Sequence, residues 1–81
     1  MKQIEIAWAE NCRLRAEARK LFDAGQDAIG GDVWSKAQDV LDTAILAQFK
    51  KLNYHWSIEP NGTLVCTLEN GEQLKQERRN P

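Results

Sequence analysis

The sequence predicts an α+β domain in which an antiparallel helix pair packs on one face of a small antiparallel β-hairpin or three-stranded meander, in the order α-α-β-β-(β). In the first part of the chain, apolar residues recur with the period of a helix. In the second part they alternate with polar residues around two Asn-Gly pairs, which is typical of hairpins. We expect residues 1–74 to form a single domain. Residues 75–81 contain no apolar side chain, so we expect this tail to fray.

The first predicted helix covers residues 2–24, which include neither glycine nor proline. Gly25 suits its C-terminal cap. Within residues 4–8 the apolar side chains also alternate, so a short strand remains a rival interpretation of that stretch. A helix is favoured because one continuous side of it collects the apolar residues Ile4, Ala7, Trp8, Leu14, Ala18, Leu21 and Phe22.

The second predicted helix follows the segment GQDAIGGD, whose three glycines predict a turn. Asp32 is the expected N-cap, and a capping box of Ser35 and Gln38 is the alternative start. The helix should end near Leu52. Its apolar positions cover a wider arc than those of the first helix, which predicts contact with both that helix and a sheet; they are Val33, Trp34, Ala37, Val40, Leu41, Ala44, Ile45 and Leu52.

The strands are predicted from alternation and from turn chemistry together. A three-residue loop of Pro60, Asn61 and Gly62 pairs Glu59 with Thr63 and sets Trp56 opposite Cys66. All apolar side chains of the hairpin then share one face, which we expect to form a wall of the core; they are Tyr54, Trp56, Ile58, Leu64, Cys66 and Leu68. The same loop at Glu69-Asn70-Gly71 would place Leu74 opposite Cys66, and whether this third strand forms is left open.

Catalytic chemistry is not indicated by the residues present. His55 falls on the polar face of the hairpin and Cys66 on the apolar face, so the two cannot form a nucleophile–base pair. One histidine and two distant cysteines lack the spacing of a metal site. The glycine-rich turn lacks the Lys-Ser or Lys-Thr of a phosphate-binding loop. We therefore expect a protein that is not an enzyme, with no catalytic residues, no cofactor and no metal.

The two cysteines, Cys12 and Cys66, are expected to be reduced and buried, as is common in cytoplasmic proteins, although a disulfide between them remains the alternative. Residues 1–13 contain Glu5 and Glu10 and lack the apolar run of a signal peptide. No stretch approaches the roughly 20 apolar residues of a membrane span. The expectation is a soluble, complete cytoplasmic protein without a membrane partner.

Binding to another protein or protein complex is the function that remains. Leu46 lies with Asp39 and Asp42 on the side of the second helix that faces away from the core, and Phe49 lies at its border, giving an apolar spot with an acidic rim. This pattern predicts an adaptor or an inhibitor that competes for a basic site on its target.

Asn11 and Arg15 form a second candidate site, because both are polar residues within the apolar stripe of the first helix. Arg15 either lays its stem over Trp8 or, together with Asn11, marks contact with a partner or with a second copy in a homodimer.

A small nucleic-acid-binding regulator is the alternative function. It would use the basic residues of the first helix and of the tail, which are Arg13, Arg15, Arg19, Lys20, Lys75, Arg78 and Arg79. The balance of 11 basic against 12 acidic residues disfavours it, since binding to phosphates usually requires a basic excess.

Overall fold

A computed structural model describes residues 2–77 of the chain. Two helices are followed by three strands: α1 (Lys2–Asp23), α2 (Asp27–Phe49), β1 (His55–Ile58), β2 (Leu64–Thr67) and β3 (Gln73–Gln76). The predicted element order is confirmed, including the third strand. The contacts divide the chain into a helical unit that ends at Lys50 and a sheet unit that begins at Lys51. The two units are described in turn, and the single domain stays a prediction.

Helix α1 is continuous, so the rival strand at residues 4–8 is wrong. Ile6 shows why: the helical period turns it away from the stripe, and 63% of its surface is exposed. The stripe itself is largely confirmed, although Leu21 is half-buried and Phe22 exposed. Its buried members are Ile4, Ala7, Trp8, Asn11, Leu14 and Ala18.

The connection between the helices is much shorter than the sequence predicts. Gly25 takes φ 78°, its N–H donates to the Phe22 carbonyl at 3.0 Å, and the Gln26 N–H donates to the Leu21 carbonyl at 2.9 Å. These two bonds form a Schellman cap, which satisfies the last carbonyls of α1 and reverses the chain at once. The predicted turn over residues 25–32, with a helix start at Asp32 or Ser35, is therefore wrong, because α2 already begins at Asp27.

Gly30 lies inside α2 for a packing reason and not for a turn. It is buried, and a Cβ atom placed there would lie 2.8 Å from two carbon atoms of the Phe22 ring and 3.2 Å from the Ala18 carbonyl oxygen. The absence of a side chain allows the last turns of α1 to approach the first turns of α2 closely. The Phe22 ring also meets Trp34, with 6.5 Å between ring centroids. Both aromatic side chains were predicted to be core residues, yet both are exposed.

Helix α2 ends three residues before the predicted Leu52. Lys50 takes the left-handed conformation with φ 61°, and its N–H donates to the Leu46 carbonyl at 2.9 Å. Leu52 thus lies outside the helix and is exposed. The buried side of α2 consists of Gly30, Ala37, Leu41 and Ile45.

The sheet is antiparallel in the order β1-β2-β3, and its predicted register is confirmed. Trp56 pairs with Cys66, and Cys66 pairs with Leu74. In the first hairpin the Glu59 N–H donates to the Thr63 carbonyl at 2.9 Å, and Gly62 has φ 90°. The second hairpin repeats this geometry, with a bond from the Leu68 N–H to the Glu72 carbonyl and φ 88° at Gly71.

An asparagine side chain braces each of these turns. The Thr63 N–H donates to Asn61 Oδ1, and the Glu72 N–H donates to Asn70 Oδ1, both at 3.0 Å. Such bonds are the reason that Asn precedes Gly in turns of this kind. The two Asn-Gly pairs therefore fix the register of all three strands.

The apolar face of the sheet is only partly buried. Cys66 and Leu74 are buried, as the alternation predicts, but Trp56 is 37% and Ile58 72% exposed. Both exposed residues belong to β1, an edge strand, whose four residues are all exposed. The expectation that they form a core wall is wrong for these two side chains.

The opposite face of the sheet carries Val65, which is buried at the centre of β2. The Lys75 ammonium reaches across this face to the Glu59 carboxylate, with 3.3 Å between Nζ and Oε2. Strand β3 continues to Gln76, two residues past the predicted limit at Leu74. Of the predicted tail, residues 78–81 lie outside the described residues, and with them Arg78 and Arg79.

Candidate functional site

Four candidate residues of α2 share one line along its surface. Asp39, Asp42, Leu46 and Phe49 follow one another at intervals of three, four and three residues, which places them on one side of a helix. We call this set the α2 outer face. Asp39 and Leu46 are exposed, Leu46 to 43%, whereas Asp42 and Phe49 are half-buried. The structure thus brings together the four α2 residues that the sequence singled out.

The α2 outer face belongs to a helix in which carboxylates predominate. Within its described span, α2 contains four aspartates, at positions 27, 32, 39 and 42, against the single cation Lys36. Gln38 Nε2 donates to Asp42 Oδ1 at 3.2 Å, which orients this carboxylate beside Leu46. The arrangement offers a partner two carboxylates and two apolar side chains within about 15 Å of helix.

Asn11 occupies a different place, inside the helix pair. Its side chain is fully buried, and its Nδ2 donates to the Ala37 carbonyl of α2 at 2.8 Å. Its Oδ1 accepts a bond from Arg15 Nε, also at 2.8 Å. A buried amide with both ends bonded avoids the penalty of an unsatisfied polar group. Asn11 therefore joins α1 to α2, and a role toward another molecule stays a prediction.

Arg15 lies over Trp8, but it does so through its guanidinium and not, as the sequence predicted, through its stem. Its guanidinium carbon is 5.6 Å from the centroid of the Trp8 ring, a cation–π contact. The same guanidinium approaches the Cys12 sulfur at 3.6 Å. Burial raises the pKa of the Cys12 thiol, and the nearby Arg15 charge opposes this rise without cancelling it. Asn11 and Arg15 thus form a cluster separate from the α2 outer face.

The thiol and the imidazole of the sheet do not meet in a reactive site. Cys12 and Cys66 are both free, Cys66 buried and Cys12 half-buried. His55 is exposed and pairs with Thr67, the neighbour of Cys66, so its side chain lies on the other face of the sheet from that thiol. Among residues 2–77, no three His, Cys, Asp or Glu side chains come together as a group able to hold a metal ion.

A shallow groove of about 420 Å³ runs along one side of the helix pair and was not anticipated from the sequence. Ile6 and Ala7 of α1 line it together with Val40, Ala44 and Ala47 of α2. The sequence feature that could have indicated the groove is the wide apolar arc of α2, because Val40 and Ala44 of that arc line the groove.

The basic residues of α1 are partly committed to neighbours on the same helix. The Arg13 guanidinium is hydrogen-bonded to the Glu10 carboxylate and lies 3.5 Å from that of Glu17. Its hydrogen bond lowers the pKa of Glu10, while the carboxylate raises the pKa of Arg13. Arg19 and Lys20 are exposed.

Comparison with protein-family models, with curated proteins and with solved structures finds no match for this chain. In the described part of the chain, neither helix combines the length and the apolar character needed to cross a membrane.

Proposed function

We propose that this protein is a non-catalytic binding protein that docks on a larger protein or complex, as an adaptor or inhibitor, through the α2 outer face. The observation that carries the proposal is the placement of Asp39, Asp42, Leu46 and Phe49 on one line of a helix, with Asp39 and Leu46 exposed and the other two half-buried. Apolar side chains supply contact area in interfaces, and charged residues at the rim select the partner.

The charge of α2 favours a basic target. Four aspartates against one lysine give the helix a formal charge of −3. Complementary charges raise the rate of encounter and exclude acidic partners. A target with a basic groove fits both the carboxylates and the apolar pair. Occupation of that groove by α2 would displace any anionic ligand that the groove normally binds, and so inhibit the target.

A cytoplasmic setting belongs to the same proposal. It is supported by the two free thiols, Cys12 and Cys66, because oxidising compartments favour disulfides.

The nucleic-acid alternative receives less support. Of the basic residues of α1, Arg13 already faces two carboxylates and Arg15 is held by Asn11 and Trp8. Phosphates would have to displace these contacts. If the protein fails to bind random-sequence DNA at low as well as at high salt, the result agrees with the protein-binding proposal.

The experiment is a quantitative affinity capture from the native host with three forms of the full chain. The test variant is D39K/D42K, and the control is E5K/D23K, which changes the charge by the same amount at exposed residues of α1. The proposal expects proteins captured by the wild type and by the control to be lost with D39K/D42K. Equal capture by all three forms would overturn it.

A further inference from the structure

Each helix carries a straight row of three exposed residues at intervals of seven. The α1 row is Ile6, Arg13 and Lys20, and the α2 row is Asp32, Asp39 and Leu46. All six side chains are exposed. Seven residues are close to two helical turns, so each row runs nearly parallel to its helix axis. The two rows lie away from the buried sides of the helices, and Ile6 also lines the shallow groove between them.

We infer that the α1 row of one copy of this chain docks on the α2 row of a second copy, with the two helices antiparallel. In that orientation, moving seven residues forward along α1 corresponds to moving seven residues backward along α2 of the second copy. Arg13 then faces Asp39 of the second copy, Lys20 faces its Asp32, and Ile6 faces its Leu46. A single register thus pairs each cation with a carboxylate and the two apolar residues with each other.

Neighbouring positions agree with this register. On its own helix Arg13 is hydrogen-bonded to Glu10 and lies 3.5 Å from Glu17, so Asp39 of the second copy has to compete with both carboxylates, which weakens this pair. In the antiparallel register Glu17 falls beside Lys36 of the second copy. A parallel arrangement that keeps Arg13 opposite Asp39 would instead set Ile6 against Asp32 and Lys20 against Leu46. Charge and apolar patterns therefore select the antiparallel contact together.

The contact is heterologous, since it joins two different surfaces. A contact of this type leaves one free α1 row and one free α2 row at the ends, so it continues into chains unless the rotation closes a ring. Exposed ion pairs and one apolar pair make a weak contact that salt weakens further. We therefore expect association to rise steadily with concentration and to pass beyond the dimer.

The inference goes beyond the proposed function, because the occupant is a second copy and not a foreign target. The two share Asp39 and Leu46, so self-association would mask part of the α2 outer face. The variant R13E/K20E separates them: it alters only α1 and leaves the α2 outer face intact. It should abolish self-association while retaining capture of the foreign target.

Sedimentation of the full chain over a range of concentrations tests the inference. The wild type should gain mass with concentration, whereas R13E/K20E and D32K/D39K should each remain monomeric, because each puts like charges across the contact. An equimolar mixture of the two variants should associate again, because the acidic α1 row of the first variant can dock on the basic α2 row of the second. The charge-matched controls are R19E/K51E and E5K/D23K, which carry the same net charges but leave both rows intact, so each alone should gain mass with concentration as the wild type does.

A wild type that stays monomeric at every concentration would overturn the inference, as would variants that associate like the wild type. Loss of association in either R19E/K51E or E5K/D23K would also overturn it, because net charge and not the rows would then decide association. The register is tested by oxidising a mixture of Ile6→Cys and Leu46→Cys chains, both carrying C12S. A mixed disulfide between positions 6 and 46 is expected. A control mixture uses Ile29→Cys instead of Leu46→Cys, and an equal yield of mixed disulfide from this control would contradict the register.

Discussion

The side-chain amide of Asn11 donates to the backbone carbonyl of Ala37 across the interior of the helix pair, at 2.8 Å. This bond joins the middle of α1 to the middle of α2, and Arg15 completes the hydrogen bonding of Asn11 from the other side. A polar residue within an apolar stripe thus fixes which parts of the two helices meet. The same geometry leads to the first prediction.

Replacement of Asn11 by alanine should lower the free energy of unfolding by about 1–3 kcal/mol, since the buried bond is lost and Arg15 loses its acceptor. Urea unfolding of the full chain measures this. Asn53→Ala is the matched control because Asn53 is exposed, and its effect should stay within about 0.5 kcal/mol. Equal effects of the two substitutions would show that the bond contributes no stability.

The two adjacent glycines of α2 should respond differently to alanine. Gly31→Ala meets open space and should stabilise the helix by about 0.5–1 kcal/mol. Gly30→Ala should lose that gain, because its Cβ would lie 2.8 Å from the Phe22 ring. Thermal unfolding compares the two variants. In a Phe22→Ala background the difference should shrink, and a difference that persists unchanged would argue against the ring as its cause.

At Gly71 the cost of substitution should come from the backbone alone. A Cβ there meets nothing within 4 Å, but φ is 88°, in the left-handed region. Gly71→Ala should therefore cost about 1–2 kcal/mol, and Gly71→Asn should cost less because asparagine tolerates this region better. Urea midpoints give the order. If asparagine proved as costly as alanine, backbone conformation would not be the determining factor.

The Cys12 thiol should ionise at a higher pH in the native protein than in the unfolded chain, because burial raises its pKa. At a given alkaline pH the native protein then holds less thiolate, so folding opposes ionisation. Stability from this group is complete below the unfolded pKa and is lost as the pH rises above it. The pH dependence of thiol alkylation in a C66S chain, native and in urea, measures both pKa values; a native value at or below the unfolded one would be contrary to this.

The sheet could be predicted closely from the sequence because two independent signals agreed. Pro60, Asn61 and Gly62 set a loop length, and the alternation of Trp56 and Cys66 required the same register. The start of α2 could not be predicted, although Gly25 was correctly predicted as the cap of α1, since a glycine that ends a helix and a glycine that admits an aromatic ring are identical in sequence. Gly25 is the first kind and Gly30 the second.

The candidate site was predictable to the extent that it follows helical periodicity. The four residues of the α2 outer face lie on one line because α2 is a continuous helix through them. The bond of Asn11 to Ala37 could not be foreseen, because it depends on how two helices are aligned. Exposure of Trp56 and Ile58 was also missed, since alternation identifies the two faces of a strand but not how much of a face is covered.

The most direct test of the central claim, that the α2 outer face binds a foreign protein, is site-specific photocrosslinking in the native host. A photoreactive amino acid replaces Leu46, and a second chain carries it at Ile29, which is exposed to a similar degree. We predict an adduct with another protein from position 46, lost in the D39K/D42K background and absent from position 29. Adducts that are the same from both positions, that persist with D39K/D42K, or that contain only a second copy of this chain would contradict the claim.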